Sequence, residues 1–500
     1  MKTDVVVIGS GISGLTAATL LALAGKDVVI VERRNLFGGS IRRFKRNGVG
    51  FDVGFHYTGC LGDGEILDLL WKRCGVRDRV EVDPVFPDGY DQYEFFGGNT
   101  VVRGYFSYAR VGEELKSCFP GEKAGIDSYL REIRDVCSQV PFYNPDLPLA
   151  PFLRGYKSRP RPLASFLDSV TTDPELRSVL AAPAFLYGVP LNQCSLETHA
   201  LVAHGYYSGA YTVKGGGQTV VDGFLAALEK AGAKLLSSSK AVSIRVDGDR
   251  VAGVEIEDGK CIACSDVIFS GHPSSVPGMV PDSVFRPAYR KRLLTLKNSL
   301  SMFAVFGTAE KDFRVQANGL NYYLLPEGGE MLSADDSTPP ALRSMMIAST
   351  GGEWPEFKPS LRNGIIILRP GFWEDVKAFA VSRPGNRAAG YEKFKAEVGA
   401  EMVETAEKRW GHFTGRIEPF AVGTPLTFRD ELAAPGGCVY GAMHCLDQFT
   451  PDVRTRLPGL YLAGQSTLMT GVVGASIGGM TAAGEIVGLE PFWESLRSWC

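Results

Sequence analysis

The sequence predicts an α/β fold: a Rossmann-type dinucleotide-binding domain built from separated stretches, with an α+β substrate domain inserted between them. Three observations carry this. A glycine-rich strand–turn–helix–strand opens the chain. A second glycine-rich strand–turn–helix lies near its C-terminal end. The 500 residues exceed what one hydrophobic core usually organises.

The opening unit reads "DVVVIGSGISGLTAATLLALAGKDVVIVE". Val5 to Ile8 is an apolar run suited to a buried strand, and Gly9-Ser-Gly11-Ile12-Ser13-Gly14 is a G-x-G-x-x-G turn. Leu15 to Leu23 is a helix rich in alanine and leucine, closed by Gly25, and Val28 to Val31 is a second buried strand ending at Glu32. Gly9 makes the tight turn, Gly11 lets backbone approach a pyrophosphate, and Gly14 lets the helix pack closely on the strands. The helix start offers free N–H groups and partial positive charge to phosphates. Glu32 follows Gly9 by 23 residues, the spacing of an acid that accepts from a ribose hydroxyl. A membrane span needs roughly 20 mostly apolar residues in one helix. Here Gly9, Gly11, Gly14, Gly25, Lys26 and Asp27 break the apolar stretch.

Just after the second strand comes "ERRNLFGGSIRRF", with Gly38-Gly39. The middle stretch, "YTVKGGGQTVVDGFLAALEKAGAKLLSSSKAVSIRVDGDRVAGVEIEDGKCIACSDVIFSG", reads as glycine turn, amphipathic helix, strand, hairpin at Gly248-Asp249, then strand. Near the end, "LPGLYLAGQSTLMTGVVGASIGGMTAAGEIVG" reads as a strand over Leu460–Ala463, a glycine turn and a helix from about Gly474. Such a helix start also suits a phosphate or a flavin ring edge. Cys261 and Cys264 form a C-x-x-C after a turn, at the start of a strand; there i and i+3 point to opposite faces, so paired chemistry is not expected.

These pieces together resemble the FAD-containing amine oxidase and phytoene desaturase superfamily. The acid at Glu32, the Gly38-Gly39 loop six residues on and the closing C-terminal segment carry the resemblance. "FDVGFHYTG" (Phe51 to Gly59), "GGGQTVVDGFLAALEKAG" and "TPLTFRDELAAPGGCVYG" are similar to the all-trans-retinol saturase and carotenoid isomerase branch. The resemblance implies a glutathione-reductase-like FAD domain over 1–80, 211–290 and 441–490, and a substrate domain over 81–210 and 291–440. It implies FAD contacts at Gly9, Gly11, Ile12, Ser13, Gly14, Glu32, Arg33, Gly38, Gly39, Ser40, Val242, Gly464, Gly474 and Ala475. It implies an oxidoreductase acting on carbon–carbon double bonds of a hydrophobic polyene or isoprenoid: saturation, desaturation or cis–trans isomerisation. The open alternatives are an amine or amino-acid oxidase of the same fold and a non-catalytic flavin-binding scaffold.

Candidate proton-transfer groups are His56, Tyr57 and Tyr440, with Lys214 and His444 also close to the glycine-rich segments. "FDVGFHYTG" alternates apolar and polar residues, which predicts a strand with Phe51, Val53, Phe55 and Tyr57 on one face. Phe303, Phe306, Tyr322 and Tyr323 suit an apolar tunnel or a packed core equally. The six histidines are isolated, so no metal site is expected. "YEFFGGNTVVRG" reads as a hairpin, "GEELKSCFPGEKAGIDSYLREIRDVCSQV" as two helices split at Pro120-Gly121, and "GYEKFKAEVGAEMVETAEKRWG" as an amphipathic helix.

The bulk numbers exclude other classes. A net charge of −3 from 53 basic and 56 acidic residues gives no electrostatic footprint for nucleic acid. The ten cysteines form no evident framework and the start "MKTDVVV" has no signal-peptide pattern, so a cytoplasmic location is expected. "VPFYNPDLPLAPFLRGYKSRPRPLASFL" mixes proline, aromatics and cations; it suits peripheral membrane contact or an ordinary connection between helices. "KGGGQTVV" has Val220 where a second dinucleotide motif needs glycine. The expected electron partner is therefore external: a quinone, a reduced carrier or a transient nicotinamide.

Overall fold

Val5–Ile8 is the central strand of a five-stranded sheet in the order Leu460–Leu462, Asp266–Phe269, Val5–Ile8, Val28–Val31, Lys234–Leu236. Every pairing in it is parallel. The computed structural model describes residues 1–46, 48–84, 89–155, 160–310, 320–326, 337–350 and 362–498. The continuous apolar runs fit a sheet covered on both faces. Val5 and Val7 belong to one core with the helix Ile12–Leu23 and the helix Gly471–Val487, whereas Val6 and Ile8 belong to a second core. That second core is shared with an antiparallel sheet of Ala241–Asp247, Arg250–Ile256 and Cys261–Ala263. Its first hairpin turns at Gly248, whose φ of +60° no β-branched residue adopts easily. Cys264 is buried and Cys261 half-buried, and both are free thiols.

A second, larger sheet has seven strands in the order Glu418–Gly423, Ser301–Glu310, Arg362–Gly371, Met345–Thr350, Asn321–Leu325, Asp91–Phe95, Val102–Gly104. All its pairings are antiparallel except Asn321–Leu325 with Asp91–Phe95. Strand alternation divides its side chains. Phe303 and Tyr322 enter the core that the helix Tyr391–Arg409 covers, while Phe306 and Tyr323 enter the main core. The expected hairpin at 91–104 and the two helices Tyr108–Cys118 and Lys123–Ser138 are present. Within the proline-rich stretch, Phe142 packs edge-on against Trp493 at 6.3 Å and the Leu147 carbonyl accepts from Trp493 Nε1. Residues 156–159 of that stretch lie outside the described residues. No described helix is long and apolar enough to cross a membrane.

Three local readings need correction. "FDVGFHYTG" is a strand only at its start: the strand Val49–Asp52 pairs with Arg43–Arg46 and ends there. Asp52 is in register with Arg43, the first residue of its partner, so residues 53–59 have no strand left to pair with. Phe55 and Tyr57 are buried nonetheless, on an irregular segment held by a single bridge between Thr58 and Tyr211. The first helix starts at Ile12, not Leu15. The closing helix starts at Gly471, not near Gly474, because Gly471 at φ +74° turns the chain directly from Thr470 into the helix.

Candidate active site

The starts of the first and closing helices face one cavity of about 230 Å³, which Gly11, Ile12, Ser13, Gly471, Val472 and Ala475 line. Neither helix has a side-chain cap at its N-terminus, so their first N–H groups remain for a ligand. A Cβ placed on Gly11 would meet no heavy atom within 4 Å. Ser13 Oγ is buried with no hydrogen-bond partner. Open space before a bare backbone, two positive helix ends and an unsatisfied buried hydroxyl fit an anionic diphosphate.

Glycines elsewhere in the predicted set hold this floor together. A Cβ on Gly14 would lie 2.1 Å from the Gly9 carbonyl oxygen, and one on Gly39 would lie 3.0 Å from Gly11 Cα. Gly474 is packed on Met469, whose carbonyl oxygen a Cβ would meet at 2.0 Å. Gly464 and Ser40 line the cavity beside Gly11. Glu32 is buried; its Oε2 accepts from Ser10 N at 3.1 Å and Ser10 Oγ at 2.6 Å, and its Oε1 accepts from Arg34 N. Gly38 N in turn donates to Ser10 Oγ at 3.2 Å. Glu32 therefore ties the first turn to the Gly38-Gly39 loop through Ser10, a residue the motif leaves unspecified. Arg33 turns away: its guanidinium donates to the Asp430 and Glu431 carbonyls at 3.0 and 2.7 Å, at the C-terminal end of the helix Pro425–Leu432. Val242 is 37 % exposed on the first strand of the antiparallel sheet and does not line the cavity.

The ceiling comes from the seven-stranded sheet. Met302, Met346 and Leu368 line it from three adjacent strands, with Met346 opposite Leu368 in the register. Phe185, Leu186 and Tyr206 close a side. Sequence reasoning missed all six, since they come from five separate parts of the chain, only Phe185 and Leu186 being neighbours, and look locally like ordinary core. It also missed Ser270, at the end of "DVIFSG", whose Oγ donates to the Ile8 and Gly9 carbonyls at 2.9 and 3.1 Å. Of the tunnel candidates, Phe303, Phe306 and Tyr322 are core and do not line the cavity; Tyr323 lies behind it.

His56, Tyr57 and Tyr440 all line the cavity. Burial, helped by the Arg43 charge, pushes the His56 imidazole down to about 4, so it is neutral at pH 7 and is not an imidazolium acid there. Tyr440 Oη donates to the Phe185 carbonyl at 2.9 Å, and burial raises its phenol. Tyr57 Oη lies 3.2 Å from Asp91 Oδ2 and 2.9 Å from Tyr323 Oη. His444 stands one layer back, donating from Nε2 to the Gln465 carbonyl at 2.7 Å. Lys214 points to the surface, ion-paired with Glu81 at 3.0 Å. The glycine turn after it packs on protein: a Cβ on Gly217 would lie 1.8 Å from the Ile41 carbonyl oxygen. Beside that turn Arg43 and Asp52 form a buried pair, Nε to Oδ1 at 3.0 Å. Desolvation raises the Asp52 carboxyl to about 6 against the opposing pull of Arg43.

A parallel five-stranded sheet with two helix ends on one glycine-lined floor, under a second, largely antiparallel sheet, defines a flavoprotein oxidoreductase. The chain belongs to the flavin containing amine oxidoreductase family, whose model matches residues 12–363. It is 28 % identical to human all-trans-retinol 13,14-reductase, over 97 % of this chain and 86 % of that protein. It is 24 % identical to the chloroplastic prolycopene isomerase of Daucus carota, over 97 % and 81 %. Among solved structures, putrescine oxidase bound to putrescine matches with a TM-score of 0.66 at 16 % identity, covering 97 % of this chain and 99 % of that one. An oxidoreductase from Methanosarcina mazei matches with a TM-score of 0.65 at 18 % identity, covering 96 % and 99 %. These structural likenesses concern the fold.

Proposed function

We propose that this chain is an FAD-dependent oxidoreductase acting on a carbon–carbon double bond of a hydrophobic polyene or isoprenoid. One observation carries the reading: among the described residues that line the cavity there is no Asp, Glu, Lys or Arg. An ammonium substrate would enter such a site with no carboxylate to offset its desolvation, which costs several kcal/mol or more for an unpaired ion. A polyene loses nothing by that transfer and gains roughly 25 cal/mol per Å² of apolar surface buried. Met302 and Met346 suit it further, because unbranched thioether chains adapt to an irregular apolar ligand. The names of the relatives, a retinol reductase and a carotene isomerase, point the same way.

When bound, flavin supplies hydride chemistry. The helix starts at Ile12 and Gly471 would hold its phosphates and ring edge, with Gly11 admitting close approach. Met302, Met346 and Leu368 press an apolar chain towards the floor, and the phenols of Tyr57, Tyr206 and Tyr440 are among the neutral O–H groups that line the cavity with it. Reducing equivalents come from an external quinone, reduced carrier or visiting nicotinamide.

The test is anaerobic. The purified holoprotein is reduced with dithionite, and all-trans-retinol or a poly-cis carotene is added in detergent. Flavin reoxidation with a saturated product, or a changed isomer without reoxidation, is expected. Peroxide formation with putrescine or cyclohexylamine in a parallel aerobic assay of the oxidised holoprotein, and inertness to both polyenes, would overturn the reading. Chromatography of the released cofactor distinguishes FAD from FMN.

A further inference from the structure

Behind Tyr57 lies a second, smaller chamber of about 40 Å³. Tyr57, Leu186 and Tyr206 line both chambers, so they form the wall between them. On the far side of that wall sits Asp91, 2 % exposed, a carboxyl that nothing in the sequence singles out. Its Oδ1 accepts from Asn321 Nδ2 at 2.8 Å. Its Oδ2 faces two phenols, Tyr93 Oη at 3.1 Å and Tyr57 Oη at 3.2 Å, and Tyr57 Oη also meets Tyr323 Oη at 2.9 Å.

We propose that this chamber is the proton store of the apolar cavity, with Asp91 holding the proton and Tyr57 passing it through the wall. The proposal rests on the reading of the reaction given above. Adding hydrogen across a double bond takes a hydride at one carbon and a proton at its neighbour. Among the described residues that line the cavity there is no carboxyl or ammonium to give that proton, and His56 is neutral. In the relay the Tyr57 O–H bond breaks as the new C–H bond forms. The Tyr57 oxygen takes the Asp91 proton, leaving a carboxylate that is reprotonated from solvent. The hydride and its electron pair come from reduced flavin, so the proton route adds or removes no electrons.

The surroundings suit a stored proton. The groups facing Asp91 are neutral phenols: Tyr57, Tyr90, Tyr93 and Tyr323, with Tyr206 and Tyr207 on the chamber wall. Arg103 is the one cation among the lining residues, and the strand register sets it opposite Gln92. With no cation against it, burial raises the Asp91 carboxyl to about 7, opposed only by its hydrogen bonds from Asn321, Tyr93 and Tyr57. Below that pH it carries a proton; above it the store empties. Asp91 acts through Tyr57 and is a positioning residue; Tyr57 is the group that meets substrate.

The experiment uses the flavin-loaded wild type, Asp91→Asn and Tyr57→Phe. Infrared difference spectra between pH 5 and pH 9 are expected to show a protonated-carboxyl C=O band that titrates near 7 in wild type and Tyr57→Phe and is lost in Asp91→Asn, where bands titrating lower, such as that of Asp52 near 6, remain. On transfer to D2O the isotope shift of that band is expected to slow at least tenfold in Tyr57→Phe. With retinol or carotene as the reported substrate, both variants should lose about 100-fold or more in rate, and the alkaline limb of the wild-type pH profile near 7 should vanish in Asp91→Asn. Survival of the band near 7 in Asp91→Asn, unchanged exchange of that band in Tyr57→Phe, or a wild-type rate in either variant overturns the relay. If wild type turns over neither polyene, the reading of the reaction fails. The band and its exchange still decide the proton store by themselves.

Discussion

Gly11 and Gly479 sit on opposite sides of the same helix crossing, and alanine at each separates ligand space from packing space. The first helix and the closing helix approach so closely that a Cβ on Gly479 would stand 2.2 Å from the Ser13 carbonyl oxygen, against an ordinary contact of at least 3.4 Å. The atom struck is backbone, so the helices themselves must separate by about an ångström. Overpacking of this kind costs about 1–3 kcal/mol, a fall in Tm of a few degrees. Gly11 differs. Its φ of −63° and ψ of 171° suit alanine, and among the described residues, its chain neighbours aside, nothing lies within 4 Å of the added methyl. Loss of the glycine cap preference costs about 0.5 kcal/mol. The methyl would, however, fill the space before the helix start. Losing one charge-assisted hydrogen bond there is worth about 1.5–3 kcal/mol, or roughly 10–100-fold in flavin affinity. The assays are differential scanning fluorimetry of the flavin-stripped proteins and flavin-fluorescence titration. Gly479→Ala should lower apoprotein Tm; Gly11→Ala should spare it and weaken flavin. Wild-type flavin affinity in Gly11→Ala would refute the placement of the phosphates, and an unchanged Tm in Gly479→Ala would refute the crossing.

Arg43→Met should destabilise the fold by about 3–5 kcal/mol, because it strands Asp52 as a buried carboxyl; urea midpoints check this, and Arg43→Met with Asp52→Leu should recover most of the loss. Asp91 is raised from 3.8 to about 7 in the fold, so the folded chain keeps a proton that the unfolded chain releases; its contribution falls as pH rises through that window, by about 4 kcal/mol at most. Asp91→Asn should flatten that decline in denaturant melts from pH 4 to 8. His199 shows the opposite sign. Wedged between Tyr129 Oη at 2.8 Å and Tyr187 Oη at 2.9 Å, it is lowered by burial to about 3. Its contribution is present above pH 6.5 and is lost as pH falls towards 3, so His199→Gln should be less acid-sensitive than wild type. Arg33→Ala should cost about 1 kcal/mol by uncapping the helix end at Asp430 and Glu431, while flavin affinity measured by titration stays within threefold.

The opening unit was legible because everything that makes it is local. Four apolar residues in a row, glycines at fixed offsets and an acid at a fixed distance are all set within one strand–turn–helix–strand. The same locality explains the errors. The alternation in "FDVGFHYTG" suggested a longer strand, but a strand also needs a partner, and Arg43 opposite Asp52 is where the partner begins. Arg33 stands next to Glu32 in the chain, yet side-chain direction depends on what lies across the cleft, and there its guanidinium meets the carbonyls of a helix end.

By itself, then, the sequence determined the glycine floor, a helix after each of its two glycine turns and the membership of a flavoprotein branch, because each is written in neighbouring residues. Only the tertiary structure decided the ceiling and the wall. Met302, Met346 and Leu368 are adjacent solely through the register of one sheet. Asp91 meets Tyr57 solely because the outer strands of that sheet fold against the segment that follows the strand Val49–Asp52. Their separation along the chain leaves no period or spacing to read, and the character of the cavity, apolar in front with a carboxyl behind, is set by that packing.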